Sequence, residues 1–325
     1  MNIIKYSYIC FSHNYNKQST MTEKQWYEVG GHQFCISTPP HSDLLENLTN
    51  CHPFCITEKQ VHSSDTPIFR LEVKESPRKP DIEGTFVIQF EGEHTYISLY
   101  ETTKGELLFS IASDSSQTHV MAMLKTDTQS YQATLTLASK LHLTQKIFAV
   151  NNTLMLLYAL STACRNTLLV HASVIAYQNR AYVFLGRSGT GKSTHSRLWL
   201  QYIEGTHLLN DDNPVIRIDG EKAIVYGSPW SGKTPCYLNQ SMPLGAIVRL
   251  SQFPENKIEQ LKGAVAYAAV APSASAIKWK TQYADGLHTT LSLLTSTAGI
   301  YHLQCRPDKE AALMCCHTVC KQTEA

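Results

Sequence analysis

Residues 186–193 read Gly-Arg-Ser-Gly-Thr-Gly-Lys-Ser and match the pattern G-x-x-x-x-G-K-[ST] at every position. An apolar run at residues 181–185 precedes them. In this motif a buried strand enters a glycine-rich turn, and the turn wraps its backbone N–H groups around an anion at the N-terminus of a helix. The order of the residues therefore predicts a strand at 181–185, a phosphate-binding loop, and a helix over 193–201.

The residue types inside the loop suit the phosphates of a nucleotide. Glycines let the backbone approach phosphate oxygens, Lys192 brings a positive charge to the β- and γ-phosphates, and the Ser193 hydroxyl can bind Mg²⁺. The predicted nucleotide-binding residues are Gly186, Arg187, Ser188, Gly189, Thr190, Gly191, Lys192, Ser193 and Thr194. A nucleotide site alone leaves open a motor, a GTPase, a small-molecule kinase, a protein kinase and a regulatory NTPase.

Two adjacent carboxylates, Asp211 and Asp212, follow a short apolar stretch about twenty residues after Lys192. Behind a phosphate-binding loop, a second strand would deliver such a pair beside the phosphates. One carboxylate would bind Mg²⁺ directly or through water, and its neighbour would accept a proton from an attacking hydroxyl. The alternative is a polar turn over residues 210–214, because Asn, Asp and Pro are turn formers.

Two further segments flank this centre. His171 lies in an apolar run, residues 168–176, which is typical of a strand that pairs with the strand before the loop. A lone histidine in such a strand is more often a core residue than a catalytic one. Residues 226–233 are rich in glycine and proline and end in Lys233, which could approach a phosphate or an acidic group of a substrate. A plain turn between strands is the alternative there.

Taken in order, His171, the loop and the Asp pair form a combination with a known counterpart. The combination resembles the catalytic domain of HPr kinase/phosphorylase and its relatives, which share their loop region with ATP-dependent phosphoenolpyruvate carboxykinases. The resemblance covers about residues 165–310. It implies an α/β domain with a mixed sheet, ATP and Mg²⁺ as cofactors, and transfer of the γ-phosphoryl group of ATP to a hydroxyl.

The resemblance also implies roles for single residues. Lys192 and Ser193 match the phosphate-binding lysine and the Mg²⁺-binding hydroxyl of the family. Asp211 and Asp212 match a pair that binds metal and acts as general base, or as acid in the reverse reaction, and the sequence does not decide which aspartate does which. His171 matches a histidine close to the transferred phosphoryl group. Catalytic residues are thus expected among Asp211, Asp212, His171 and Lys192, and metal ligands among Ser193, Asp211 and Asp212.

The chain also departs from this family. An E-x-R-G segment follows the Asp pair in the kinase/phosphorylase, whereas residues 224–227 contain neither an acid nor an arginine. The arginine-containing C-terminal loop that engages the carrier protein has no convincing counterpart, so the substrate need not be HPr. The additional arginine, lysine and histidine residues of the carboxykinases cannot be placed either, which makes that activity the weaker interpretation.

The sequence therefore predicts an ATP-dependent phosphotransferase whose acceptor is a hydroxyl on a protein, a peptide or a small molecule. The alternative is a regulatory protein of the same fold that binds ATP without transferring phosphate, and the missing acid favours it. Two retained aspartates argue against it, since a pure binder needs no base. The ring-forming kinase/phosphorylase makes a homo-oligomer plausible.

Composition restricts the other partners. The 325 residues are 43% hydrophobic and 17% charged with a formal charge of +1, and they contain no Lys/Arg block that would attract nucleic acid or a membrane surface. Ten cysteines are scattered through the chain and, beside an ATP-type loop, favour reduced thiols in the cytoplasm. The clusters at 51–55 and 315–320 are alternative zinc sites, although the first has no second matching pair and the second lies in a helical stretch where thiols are often small buried hydrophobes.

Residues 21–24 resemble a normal start, which predicts that residues 1–20 are a poorly ordered extension or a misplaced initiation site. Hydrophobic periodicity predicts a smaller, mainly antiparallel β domain at 21–145 and the kinase-like domain at 146–325. A helix over 145–164 would connect the two domains. The ranges predicted as strands are 33–37, 68–73, 85–90, 94–100, 106–111, 168–176, 181–185, 206–209, 215–218, 223–226, 244–250 and 299–304. Further helices are predicted at 193–201, 258–269, 284–297 and after Pro307.

Overall fold

The computed structural model describes residues 22–61, 66–77, 82–92, 95–127, 129, 131–275 and 280–320. Its strands are β1 (Glu23–Val29), β2 (His32–Thr38), β3 (Cys55–Ile56), β4 (Arg70–Ser76), β5 (Thr85–Gly92), β6 (Thr95–Glu101), β7 (Leu107–Ala112), β8 (Val120–Thr126), β9 (Gln132–Ala138), β10 (Thr167–Val170), β11 (Ala172–Tyr177), β12 (Arg180–Leu185), β13 (His207–Asp212), β14 (Val215–Asp219), β15 (Lys222–Tyr226), β16 (Ser241–Gln252), β17 (Lys257–Leu261), β18 (Ala274–Ser275) and β19 (Ile300–Cys305). Its helices are α1 (Leu44–Asn47), α2 (Leu143–Thr162), α3 (Lys192–Tyr202), α4 (Gly263–Val270), α5 (Thr281–Thr297) and α6 (Lys309–Cys320). The extension predicted at residues 1–20 lies outside the described residues.

The strands form two large sheets, which makes the fold a mixed α+β fold with few helices. In the described residues the first sheet has the order β3-β1-β2-β4-β9-β8-β7-β6-β5. Its pairs are antiparallel except for β2 with β4 and β4 with β9, which are parallel. The predicted strands of this region are confirmed, whereas β1, β3, β8 and β9 were missed. Charged or helix-compatible residues interrupt the alternation of β1 and β8, and β3 is only two residues long.

The second sheet is built around β16. Its described order is β13-β11-β12-β16-β15-β14-β10-β18, and β19 also pairs with β16. β16 runs parallel to β12 and β19 and antiparallel to β15, so the sheet is mixed. The hairpin of β11 and β12 places two strands before the loop without a helix between them, as the sequence predicts.

Two predictions for this half of the chain are wrong. The run 168–176 is two strands, because the chain leaves the β14 and β18 pairing at Val170 and joins β12 and β13 from Ala172, with His171 at the step between them. The predicted helix at 258–269 begins as β17, whose alternating residues pair with β19. Gly263, at φ 55°, then starts α4.

The helix α2 joins the two sheets through apolar side chains on one face. It starts with a capping box, in which the Gln145 side chain accepts the backbone N–H of His142 at 3.0 Å. It packs on β8 and β9 of the first sheet and on β10 of the second. One buried cluster therefore contains Leu154 of α2, Phe109 of the first sheet and Val215 of the second. The boundary at residue 145 between two domains stays a prediction.

Within the described part of the chain, every helix is too short or too polar to cross a bilayer.

Candidate functional site

The glycine-rich loop lies between β12 and α3. Gly189 and Gly191 take φ values of 76° and 108°, which favour glycine, and α3 begins at Lys192 directly after them. A Cβ on Gly186 would lie 3.2 Å from the Thr190 side chain, so the turn is tight at this point. The predicted order of strand, loop and helix is confirmed, and backbone N–H groups at the start of α3 lie where an anion is stabilised.

A chain of polar contacts runs from Lys192 of the loop through His171 to Asp212. Lys192 Nζ lies 2.9 Å from His171 Nε2 and donates to the carbonyl of Gly186 at 3.1 Å. His171 Nδ1 lies 2.8 Å from Asp212 Oδ1. Because an ammonium group only donates, Nε2 accepts from Lys192 and Nδ1 carries the proton that is donated to Asp212. Burial lowers the pKa of Lys192, and the carboxylates of Asp212 and Asp211 oppose this shift.

The Ser193 hydroxyl and the first aspartate form a second contact. Ser193 Oγ donates to Asp211 Oδ1 at 2.9 Å. Asp211 is buried, whereas the side chain of Asp212 is 32% exposed to the cleft. A hydroxyl and carboxylates are the hard oxygen ligands that Mg²⁺ accepts together with phosphate oxygens. The donor set therefore fits the Mg²⁺ ion that accompanies a nucleotide.

Asp212 has an unusual backbone. Its φ is 147°, a value that a residue with a side chain rarely adopts and that costs on the order of 1–3 kcal/mol. The contacts that hold it there are the His171 ring, the Asn213 Nδ2 donor at 2.8 Å from Oδ2, and a backbone bridge to Ser231. Strain of this kind concentrates at functional sites. The polar turn considered at 210–214 is wrong for residues 210–212, which pair with β11.

The segment 227–234 is fastened to the Asp pair. The backbone N–H of Gly232 donates to the carbonyl of Asp211 at 2.6 Å, and Ser231 Oγ donates to the same carbonyl at 3.1 Å. A Cβ on Gly232 would lie 3.2 Å from Cβ of Asp212. This close approach brings exposed Lys233 to the mouth of a cleft of about 640 Å³. Its lining includes His171, Ser188, Gly189, Gly191, Lys192, Ser193, Thr194, Arg197, Asp211, Asp212 and Lys233.

This cleft, here called the phosphate cleft, brings together most of the predicted site residues. His171, Lys192, Ser193, Asp211 and Asp212 all line it, so residues 41 positions apart in the chain meet in one place. Arg187 is exposed and is not among the residues that line the cleft. Its carbonyl accepts a hydrogen bond from Thr190 Oγ1 at 2.6 Å. No role was predicted for Arg197 or Asn213. Arg197 follows Ser193 by one helical turn, which is the spacing that could have revealed it.

A second cleft, here called the apolar cleft, opens on the other side of the loop. It measures about 590 Å³ and shares Gly189, Gly191 and Thr194 with the phosphate cleft. Its walls are Leu198, Leu250, Phe253, Pro254, Cys305, Arg306 and Pro307. Phe253 is 46% exposed, so one aromatic face is open. The sequence did not predict this cleft, because β16 and β19 supply its walls from distant parts of the chain.

The cysteine clusters do not form a metal centre in the described residues, where no group of three or more His, Cys, Asp or Glu side chains could hold a metal ion. Cys51 is buried, and burial raises the pKa of its thiol to about 12. Cys316 and Cys320 stand 3.7 Å apart, Sγ to Sγ, along α6. None of the nine cysteines in the described residues forms a disulfide.

Comparisons with known proteins give remote relationships. A family model described as SynChlorMet cassette protein ScmC matches residues 136–293, slightly less than half of the chain. Among solved structures, the chain is similar to the Hpr(Ser) kinase/phosphatase from Coxiella burnetii, with 10% identity over 48% of this chain and 95% of that chain and a TM-score of 0.28. These figures support at most a remote relationship in fold. No curated protein matches the chain.

Proposed function

We propose that the protein is an ATP-dependent phosphotransferase that moves the γ-phosphoryl group of ATP to a hydroxyl group. The observation that carries the proposal is the chain of contacts from Lys192 through His171 to Asp212, beside the contact of Ser193 with Asp211. Phosphoryl transfer needs a phosphate-binding cation, a metal ligand set and a base within one cleft, and this arrangement supplies all three.

The loop and Lys192 would bind the phosphates. In the structure the lysine ammonium is directed to His171 and to the Gly186 carbonyl, and an arriving phosphate would take over this donor. Arg197 and Lys233 line the same cleft and would add positive charge near the transferred group. Preorganised cations of this kind stabilise the charge that develops on the equatorial oxygens of the phosphoryl group.

The apolar cleft would bind the nucleoside. It continues from the loop through Gly189, Gly191 and Thr194, and Phe253 offers an aromatic face on which a base can stack. Its wall is mostly apolar, which favours the transfer of a purine from solvent into the cleft. This continuity favours a nucleotide over a free phosphate or pyrophosphate as the ligand of the loop.

The two aspartates would have different tasks. Asp211 is buried and contacts Ser193, so it would bind Mg²⁺ with that hydroxyl. Asp212 is more exposed and accepts from His171, so it would take the proton of the attacking hydroxyl. The His171 ring, in contact with both Lys192 and Asp212, would keep the Asp212 carboxylate oriented. This division assigns the base to Asp212.

Radiolabel transfer tests the proposal. The full chain would be incubated with γ-labelled ATP, Mg²⁺ and a host-cell extract separated into protein and small-molecule fractions, alongside Lys192→Ala and the matched variant Lys222→Ala, whose lysine is exposed on β15. We expect Lys192→Ala to lose on the order of 100-fold or more of the transfer and Lys222→Ala to keep it. Equal transfer by all three proteins would refute the proposal.

Equilibrium dialysis with ATP distinguishes the phosphotransferase from the alternative, a regulatory protein that binds ATP without transferring phosphate. Tight, Lys192-dependent ATP binding with no transfer to any fraction would indicate the regulatory protein without catalysis. The absence of an acid and an arginine at residues 224–227 would then be its cause.

A further inference from the structure

We propose that a pocket on the far side of Asp212 receives the phosphoryl acceptor and selects an uncharged alcohol that also carries amide or hydroxyl groups. The inference rests on the proposed function. The pocket measures about 650 Å³ and is here called the asparagine pocket. Asn50 comes from the loop after α1, Phe148 and Asn151 from α2, and Asn213 and Trp230 from the segments beside the Asp pair.

Its position relative to the base carries the inference. Among the described lining residues, Asp212 is the one that lines both the phosphate cleft and the asparagine pocket. In-line transfer requires the attacking oxygen on the side of the phosphorus opposite to the leaving oxygen. A carboxylate between a donor cleft and a second pocket is where the base of such a reaction must lie.

The charge of the pocket selects against anions. Lysine, arginine and histidine are absent from its described lining, and Asp212 is the charged residue there. An anionic acceptor would lose its hydration without gaining a counter-ion and would be repelled by this carboxylate. A cationic acceptor would pair with the Asp212 carboxylate and lower its basicity, so Asp212 would no longer take the proton of the attacking hydroxyl. The pocket therefore favours a neutral molecule.

Its hydrogen-bonding groups match an amide or neighbouring hydroxyls. Asn50 Nδ2 donates to Asn151 Oδ1 at 2.7 Å and to the Pro229 carbonyl at 2.9 Å. In the described residues this leaves Asn50 Oδ1 as an acceptor and Asn151 Nδ2 as a donor for a ligand. The Trp230 Nε1–H in the wall is also buried and without a partner among these residues. A peptide group or two adjacent hydroxyls would satisfy such a pair.

The pocket also has an apolar side. Phe148 is 39% exposed, and it lies one helical turn from Asn152 and close to Asn151 on α2. An aromatic face beside carboxamides binds the aliphatic part of a ligand while the amides orient its polar part. A serine or threonine in a peptide and a sugar or polyol share this chemistry, and the experiment below distinguishes them.

The chemical step is balanced with ATP as the phosphoryl donor. The acceptor oxygen forms a bond to the γ-phosphorus, and the bond from that phosphorus to the β,γ-bridging oxygen breaks. The electron pair leaves with ADP, and the alcohol proton passes to Asp212. The products are a phosphate monoester, ADP and one proton that is later released to solvent.

The first test is binding. Saturation-transfer NMR would be recorded on the full chain with Mg²⁺ and a non-hydrolysable ATP analogue, using two matched pairs of probes at millimolar concentration. One pair is acetyl-Ala-Ser-Ala-amide with acetyl-Asp-Ser-Asp-amide, and the other is glucose with glucose 6-phosphate. The variants are Asn151→Lys and the matched Gln201→Lys, which adds the same charge at an exposed position of α3.

We expect the uncharged member of one pair to bind and its anionic partner to bind at least about tenfold more weakly, in line with the loss of one good hydrogen bond or more. Asn151→Lys should lose the probe but keep its affinity for the ATP analogue, which shows that it is folded, and Gln201→Lys should keep both. The tripeptide identifies a peptide acceptor, and glucose identifies a polyol. No signal from either uncharged probe, a preference for the anionic ones, or equal binding by Asn151→Lys would overturn the proposal.

Label transfer from ATP to the bound probe then separates the two proposals. Lys192→Ala should keep probe binding and lose transfer. If the uncharged probe binds in a manner that depends on Asn151 but never receives label, the phosphotransferase proposal fails while the pocket stands as a ligand site. If label moves in a manner that depends on Lys192 but not on Asn151, the pocket proposal fails alone.

Discussion

The ammonium group of Lys192 lies 2.9 Å from Nε2 of His171, so the imidazole and an incoming phosphate compete for the same donor. On its other side His171 donates to Asp212. His171 is therefore a candidate positioning residue whose two nitrogens have opposite effects, since one restrains the lysine proposed to bind phosphate and the other orients the candidate base.

His171→Ala should separate binding from turnover. Removing the ring frees Lys192, so we expect the Kd for ATP to stay the same or become smaller. Loss of the bond to Asp212 should lower kcat by roughly 10- to 100-fold, the value of one hydrogen bond to a charged group. Single-turnover and binding measurements on the same preparations would check both numbers.

The matched control is His171→Asn, whose side-chain N–H₂ can replace the Nδ1 donor. This variant should recover part of the lost kcat. A weaker Kd for ATP together with an unchanged kcat would contradict the role we assign to His171.

The backbone of Asp212 predicts an inverted order of stability between two variants. Both Asp212→Gly and Asp212→Ala remove the carboxylate, so the loss of its hydrogen bonds cancels between them. At φ 147° glycine is unstrained and alanine is not, so Asp212→Gly should be the more stable by about 1–2 kcal/mol. Urea unfolding of the two proteins measures this difference, and alanine as the more stable variant would show that Asp212 is unstrained.

The free energy of unfolding should fall on mild acidification because His195, a buried residue of α3, resists protonation in the folded chain. Burial lowers the pKa of His195 to about 4, and its Nε2 accepts from Trp199 Nε1 at 3.1 Å. An unfolded histidine titrates near 6.5, so the unfolded chain binds a proton that the folded chain refuses between these values. The contribution of His195 to the free energy of unfolding is fully present above about pH 6.5. It should fall by up to ~3 kcal/mol as the pH approaches 4.

His195→Gln should flatten this pH dependence, because the amide oxygen still accepts from Trp199 but does not titrate. Part of the loss of stability at low pH should remain, because burial also lowers the pKa of His32 to about 3. Urea unfolding between pH 7 and pH 4.5 gives the measurement. An identical slope for His195→Gln and the parent protein would assign the acid sensitivity elsewhere.

A methyl group at Gly227 should damage both the fold and the site. Its Cβ would overlap the backbone carbonyl oxygen of Leu238. We expect Gly227→Ala to lose about 1–3 kcal/mol of stability and to displace the segment 228–234 that is bonded to Asp211. Gly220→Ala adds the same methyl into open space, at a φ of 59° where alanine costs about 1–2 kcal/mol, and should leave phosphoryl transfer unchanged. Equal transfer by the two variants would mean that the segment does not position the aspartates.

The local parts of the site were predictable from the sequence. The loop at 186–193 and α3 follow from residues adjacent in the chain, since glycine freedom, a lysine and a helix start are all short-range properties. The placement of Asp211 and Asp212 at the end of a strand beside the loop was also predicted, and β13 confirms the strand. His171 was placed in the correct neighbourhood but in an unbroken strand. The step at this residue comes from strand order, which hydrophobic runs do not encode.

The distant parts were not predictable. Asn50, Asn151 and Asn213 meet in one pocket although about 60 to 100 residues separate each from the next, and single asparagines carry no periodic signal. The same holds for Phe253 and Arg306 in the apolar cleft. The first part of the helix predicted at 258–269 failed because β17, a five-residue strand with exposed polar positions, gains its stability from pairing with β19, whereas residues 263–269 are helical in α4 as predicted.

The apolar cluster that runs from Phe109 through α2 to Val215 and Trp230 has a consequence for how the chain tolerates change. A substitution deep in the first sheet weakens the same cooperative unit that supports the wall beside Asp212. The tolerance of the candidate site to mutation is therefore shared with residues far from that site, and drift in one half of the molecule would have to be compensated in the other.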